Sequence, residues 1–545
     1  MMGEQVLFHE AFGRTLGKAG VTVVFGVLGD GNLFLMDSFR RLGGGRYVSM
    51  ASEAGAVLAA NGYAARTGEL GVATVTHGPA LTNTVTALVE GARSRTPVLV
   101  IAGDTPSNDP EHIQGIEQRE VIAPTGAGFE QVATPEGFPG HLARAARNAL
   151  VQRRPVVLNV PADFQWATID EPGAVPPLAV PRQATLADPA ALDRALGLIA
   201  SARRPVILTG RGAAGPAERA VLVKFAERIG APLATTLRAK DLFHGEPCDL
   251  GVFGTLSSPF TVETIQRSDC VIAIGASLNR YTAADGGMLR GKRVVRIDID
   301  RAALAQGYVA DAPVVGDART VVNQMIEMLD VAGIAPSQHA SAELAAAIAA
   351  ATPPPPVGSA AGLVDMHAAV ARLDAALPAD RTVVLDAGRF LTAAFTGLRV
   401  PEPRAYLTTM NFGSIGLGTA TAVGAAHGAP DRPVVLVCGD GGFMLGGVAE
   451  FNSAVRHGVD LIVALLNDGA YGAEHIQYRA RDMDPVMSTF DWPEFAPLAN
   501  SLGGVGYAVR SDADLEAALS SIGSRDRPVL LDIKIDPDSV RARGH

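Results

Sequence analysis

A chain of 545 residues is too long for one hydrophobic core and predicts two to four domains. Its composition is 48% hydrophobic and 19% charged, which excludes a disordered chain. The net charge of −10, with no long basic run, argues against nucleic acid and anionic membrane surfaces as partners. The three cysteines, Cys248, Cys270 and Cys438, form no CxxC pair, so neither a disulfide framework nor a zinc site is expected. No stretch approaches 18 uninterrupted apolar residues, so no membrane span is expected. The N-terminal segment has no apolar signal core, and the expected location is the cytoplasm.

Taken in chain order, the sequence opens on an amphipathic helix, "MMGEQVLFHEAFGRTLGKAG". Short β-branched runs then alternate with Ala-rich helical segments. The runs lie at 21–29, 71–78, 97–103, 204–210, 270–276, 293–300, 382–388, 432–441, 461–469 and 528–536. Continuous apolar strands that end in Gly or Asp, each followed by a helix, predict parallel sheets covered on both faces. A Pro-rich break falls near 170–183, and the linker "AAAIAAATPPPPVGSAAG" spans 345–362. The expectation is an α/β protein of three doubly wound parallel-sheet domains, at 1–175, 185–335 and 360–535.

The stretch "GDGGFMLGGVAEFNSAVRHGVDLIVALLNDG" (439–469) places Asp440 and Asn467 at the ends of two apolar runs. Ligands of an open parallel sheet sit beyond the carboxyl ends of its strands. The 25 residues between Gly441 and Asn467 suffice for one helix and the next strand, a right-handed crossover. The two strand ends should then be neighbours, where a carboxylate and an amide oxygen suit a hard cation such as Mg²⁺. Gly439, Gly441 and Gly442 let the backbone come close, and the following helix offers free N–H groups to an anion. GDG or NDG alone is more often an ordinary turn; together, at this spacing, they form a specific signal.

GDG, 25 residues, then Asn resembles the fingerprint of thiamine-diphosphate enzymes. The segments "FGVLGDGNLFLMDSF", "SEAGAVLAANGYAARTG" and "THGPALTNTVTALVEGARSRTPVLVIAGD" resemble their pyrimidine-binding half. The middle block resembles their non-catalytic central domain. The order is that of the acetolactate synthase, benzoylformate decarboxylase and pyruvate decarboxylase superfamily. The resemblance implies thiamine diphosphate and Mg²⁺ as cofactors, with Asp440, Asn467 and the Gly469 carbonyl as metal ligands. It implies that Glu53 hydrogen-bonds the aminopyrimidine, and that Ile415 in "NFGSIGLG" forces the cofactor into its bent shape. It places Pro79 and Asn83 at the pyrimidine, and Gly413 and Ser414 beside Ile415. Asp386, Gly388, Arg389, Gly439, Gly441, Gly442 and Tyr471 fall at the diphosphate end. Two departures stand out: Ala80, where Gly is common, and Asp468, expected to point away from the metal.

The resemblance implies decarboxylation of a 2-oxo acid through an enamine, which is then protonated to an aldehyde or joined to a second carbonyl. Three residues are candidates for the proton chemistry. Glu474 lies seven residues after Asn467, as in pyruvate decarboxylases. His112 resembles the second member of their His–His pair, the first being replaced by Glu111. His77 stands where synthases have Ser, one position from a benzoylformate decarboxylase histidine. The synthase features are mostly missing: "FQE" is not clear near "GIEQREV", "RQWQ" is absent, and no FAD pattern is evident. The favoured expectation is therefore a decarboxylase with possible carboligation; the alternatives are an acetolactate-synthase-type carboligase and a non-catalytic cofactor binder. A homodimer or dimer of dimers is expected, with Glu53 of one copy facing Asp440 of another.

Overall fold

The computed structural model describes residues 4–174, 176–178, 183–351 and 363–539. The Pro run and its C-terminal flank (352–362), and parts of the 170–183 break (175 and 179–182), lie outside the described residues. The chain divides into two compact units. One joins Met1–Pro181, Val357–Ala394 and Leu407–His545; the other joins Arg182–Pro356 and Phe395–Tyr406.

Three six-stranded sheets flanked by helices carry the fold. The first contains β1 (Val23–Gly26), β2 (Arg46–Ser49), β3 (Gly71–Val75), β4 (Val98–Asp104), β5 (Gly128–Gln131) and β6 (Pro155–Pro161). Its order is β2-β1-β3-β4-β6-β5, and every pair is parallel. The second contains β7 (Pro205–Thr209), β8 (Leu233–Thr235), β9 (Asp249–Val252), β10 (Cys270–Ile274), β11 (Arg293–Asp298) and β12 (Ala312–Val315). Its order, β9-β8-β7-β10-β11-β12, is the doubly wound 3-2-1-4-5-6 arrangement. The third contains β13 (Thr382–Leu385), β14 (Tyr406–Thr408), β15 (Val434–Gly439), β16 (Leu461–Asn467), β17 (Val505–Val509) and β18 (Val529–Lys534). Its order, β14-β13-β15-β16-β18-β17, repeats that of the first sheet. The shared rhythm of the sequence thus hides a shared strand order between the first and last sheets.

The central strands are buried up to their carboxyl ends because both faces are covered. One face of the first sheet packs on the opening helix, where Phe8, Phe12 and Phe138 meet with centroids 5.0–5.8 Å apart. Its other face shares a core with the third sheet through two helices, α1 (Glu53–Thr67) and α2 (Gly418–Gly428). Both helices are nearly all Ala, Gly and Thr where they touch, so their backbones come close. A Cβ on Gly424 would overlap the Ala59 carbonyl oxygen, and one on Gly62 would overlap that of Thr421. In the second unit, the two faces of the central sheet hold separate cores around Phe225 and Phe253.

The contact leaves no room for a methyl group. Gly424→Ala should therefore destabilise the protein by about 1–3 kcal/mol, the usual cost of overpacking. Chemical denaturation reads this directly; an unchanged midpoint would mean the helices are not in backbone contact.

Candidate active site

The order of the first sheet reverses between β1 and β3, and that of the third between β13 and β15. These are the crevices where open α/β sheets bind ligands. The candidate residues hang from the carboxyl ends of those strands and their neighbours.

In the third sheet, Gly439 pairs with Leu466, so Asp440 and Asn467 come next in register. Asp440 is buried and opens a short helical turn that continues as a π-turn, Phe443–Gly447. Its Oδ2 accepts the indole N–H of Trp492 at 2.8 Å. Asn467 donates its amide N–H to Asp532 Oδ1 at 2.7 Å, which fixes the amide so that Oδ1 is the free-facing acceptor; that oxygen takes the Gly469 N–H at 3.1 Å. The Gly469 carbonyl accepts the Phe490 N–H at 2.8 Å and keeps a second lone pair. Gly441 is glycine for a steric reason: a Cβ would lie 2.6 Å from the Tyr471 ring. Tyr471, Phe490 and Trp492 form an aromatic row, with centroids 4.7 and 4.5 Å apart.

Asp468 differs from expectation. Arg389 Nε draws it in at 2.5 Å, and both side chains are buried. It therefore lies beside Asp440 and does not point away. Burial first, then the Asp468 charge, push the Asp440 carboxyl up to about 7. Two buried carboxylates and an amide oxygen are an oxygen-only donor set whose repulsion a hard dication would relieve. The residues fit such an ion. Arg389 also bonds the C-terminal segment. Its Nη1 and Nη2 donate to the carbonyls of Pro537 and Asp536 at 2.9 and 2.7 Å. It ties Asp468 to the C-terminal strand end.

Asp386 is also turned to internal work. Its carboxylate accepts the Gly416 N–H at 3.0 Å and the Ala387 N–H at 2.7 Å, and burial pushes it up to about 6. It thereby holds the 413–418 loop, in which Gly413 and Gly416 take positive φ and Ile415 stands half-buried. Ser414 donates to the Ile415 carbonyl at 3.2 Å. Gly388 packs beside the Phe390 ring.

In the first sheet, Glu53 opens α1 behind the cap residue Ser52, whose Oγ accepts the Gly55 N–H at 3.0 Å. Glu53 Oε2 accepts from Asn83 Nδ2 at 3.2 Å. Pro79 begins the short helix Pro79–Thr82, whose C-cap is Asn83. Two residues that the sequence reading missed hold these turns. Buried Glu450 accepts the Ala51 and Ser52 N–H groups at 3.2 and 3.1 Å. Buried Glu90 accepts the Phe412 N–H at 2.8 Å and the Asn411 amide at 2.5 Å, just ahead of Ile415. Gln118, from the segment in which "FQE" was not clear, is buried and accepts the Gly78 N–H at 2.7 Å.

His77 follows β3, is fully buried and lies 3.7 Å from Asp30 of the β1 loop. Its ring meets the His112 ring edge-on at 5.1 Å. Burial lowers the His77 pKa, so the ring is neutral at neutral pH. Asp30 escaped the sequence reading, although "GDG" occurs at 29–31 as well as at 439–441. Glu474 does not join this group: it stands exposed in the first turn of a separate helix, Gly472–Arg479.

Three family models match the chain: "Thiamine pyrophosphate enzyme, N-terminal TPP binding domain" over residues 8–123, the central domain over 192–325, and the C-terminal TPP binding domain over 386–533. The chain is 28% identical to the acetolactate synthase large subunit of Corynebacterium glutamicum, covering 98% of this chain and 88% of that protein. It is 30% identical to a Pseudomonas aeruginosa protein named "Probable 2-ketoarginine decarboxylase AruI", covering 93% and 89%. It is 28% identical to the acetolactate synthase of Arthrospira platensis, covering 96% and 93%. The chain belongs to the thiamine pyrophosphate enzymes, and its three sheets correspond to their three α/β domains.

Proposed function

We propose that the protein decarboxylates a 2-oxo acid without oxidation, using thiamine diphosphate and Mg²⁺, and releases an aldehyde. The blocks 1–175, 185–335 and 360–535 then serve as pyrimidine-binding, central and diphosphate-binding domains. Bound thiamine diphosphate supplies a nucleophilic carbon and an electron sink for CO₂ loss. Asp440 and Asn467 hold Mg²⁺ together with the Gly469 carbonyl, and the N–H groups of Gly441 and Gly442 meet the diphosphate. Glu53 holds a proton at the aminopyrimidine nitrogen. Ile415 packs against the cofactor, positioned through Asp386 and Glu90.

The observation that carries the aldehyde reading is the convergence of Asp30, His77 and His112, whose ligand atoms lie within 4.8 Å of one another. This carboxylate and imidazole group can relay a proton to the carbon that has lost CO₂, with the neutral His77 ring as an acceptor within the relay. Glu474 is a further candidate donor. Carboligation of two 2-oxo acids is the second reading. The names of the relatives favour it: acetolactate synthase recurs among them, beside the probable 2-ketoarginine decarboxylase. Similarity thus weighs toward the synthase and local geometry toward the decarboxylase.

The working enzyme is proposed to be a homodimer or larger, with Glu53 of one copy facing Asp440 of another. Exposed apolar side chains on the loops around the strand ends support this: Leu28, Ile113 and Ile116 on the first sheet's side, and Phe412 and Leu445 on the third's. Among the described residues, no helix is long and apolar enough to cross a membrane.

Two outcomes are expected. Glu53→Gln should bind cofactor yet slow hydrogen–deuterium exchange at its C2 carbon by roughly 100-fold or more, the scale of general acid–base catalysis. Exchange at the wild-type rate would remove Glu53 from that role. With pyruvate and other 2-oxo acids, single-turnover analysis should find aldehyde as the main product. Acetolactate as the main product from pyruvate alone would replace the decarboxylase reading with the synthase reading.

A further inference from the structure

The hydrogen bonds around His77 assign its tautomer. The Gly31 N–H donates to Thr76 Oγ1 at 3.0 Å, and the Thr76 hydroxyl donates to Asp30 Oδ1 at 3.2 Å. That uses the only proton Thr76 has. At the 3.3 Å contact between Thr76 Oγ1 and His77 Nδ1, the ring must therefore be the donor. His77 then carries its proton on Nδ1 and a lone pair on Nε2. This Nε2 is shut away from water, has no partner in regular hydrogen-bond geometry and faces Asp30 Oδ1 at 3.7 Å, with the Gln114 side chain near the ring. The His112 ring stands beside it, and one ligand atom from each of the three residues falls within 4.8 Å of the others.

A neutral imidazole whose far N–H is held by a fixed acceptor is the arrangement found in metal-ligating histidines. Two imidazoles and a carboxylate, with a fourth position left open, form a donor set for a borderline first-row dication. Such an ion has bonds of about 2.0–2.2 Å to nitrogen and oxygen, which puts neighbouring donors roughly 3.4 Å apart. The 3.7 Å between His77 and Asp30 is close to that. The Asp30 side chain is 70% exposed and can close the remainder. Mg²⁺, which demands a nearly octahedral oxygen shell, is a poor match.

We propose that Asp30, His77 and His112 form a second metal site that takes a Zn²⁺-class ion. It is separate from the oxygen-donor site at Asp440, and an ion bound there blocks proton delivery by the same residues. The blocking role rests on the function proposed above; the binding site does not.

Binding is tested on the full-length protein in saturating MgCl₂, without substrate, using CoCl₂ alone as the probe. Equilibrium dialysis and visible d–d absorption should find one Co²⁺ per chain, displaced by ZnCl₂. Asp30→Asn and His112→Gln, both in loops and checked for folding by circular dichroism, should each weaken binding at least tenfold. Asp440→Ala should leave it intact. No Co²⁺ bound, or Co²⁺ bound equally by both loop variants, would overturn the site. ZnCl₂ should also lower wild-type turnover of a 2-oxo acid in step with site occupancy. Full occupancy with undiminished turnover would overturn the blocking role while the site stands.

Discussion

The structure of the first unit depends on the close approach of α1 and α2, and on two buried carboxylates that tie the halves together in opposite directions. Glu450, from the diphosphate-side half, caps the turn that aims Glu53. Glu90, from the pyrimidine-side half, holds the backbone that leads to Ile415. Each of these charge-assisted bonds contributes about 1.5–3 kcal/mol. Their larger effect is geometric: each half is held at its functional loop by the other. Gly55 belongs to the same device, because a Cβ there would overlap the Glu450 carboxylate.

The two switch points carry opposite chemistries. At the third sheet the groups are oxygens: Asp440, Asn467 and Asp468, set by Trp492, Asp532 and Arg389. At the first sheet they are two imidazoles and a carboxylate, set by Thr76. The former set suits a hard cation, and the latter suits proton transfer or a borderline cation. Strand order is the same in both sheets, so the difference lies in the loops alone. This separation is why family membership leaves the reaction open. The oxygens at the third sheet fit the cofactor shared by the family, while under the proposed function the fate of the product depends on the loop residues at the first sheet.

Much of this was legible in the sequence, for identifiable reasons. The quoted apolar runs correspond to ten strands in the interiors of the three sheets, where burial on both faces demands unbroken Val, Ile and Leu. Edge strands such as Arg46–Ser49 and Gly128–Gln131 are half-polar and left no such trace. Pro155–Pro161 is a different omission: it is fully buried, and "RPVVLNVP" carried a readable signal. Asp440 and Asn467 could be paired because one crossover fixes their spacing. Asp30 could not, since a single GDG reads as a turn until His77 is placed beside it. Glu90, Glu450, Trp492 and Asp532 act across long sequence separations, so no local pattern points to them. The orientation of Asp468 escaped for the same reason: its ion pair with Arg389 is a tertiary fact.

The central claim is that Asp440 and its neighbours hold a cation that binds the cofactor. Calorimetric titration of thiamine diphosphate tests it most directly, with Mg²⁺ present or chelated, into wild-type protein and Asp440→Ala. Binding heat only for wild type with Mg²⁺ is the result the account predicts. Undiminished affinity in Asp440→Ala would contradict it.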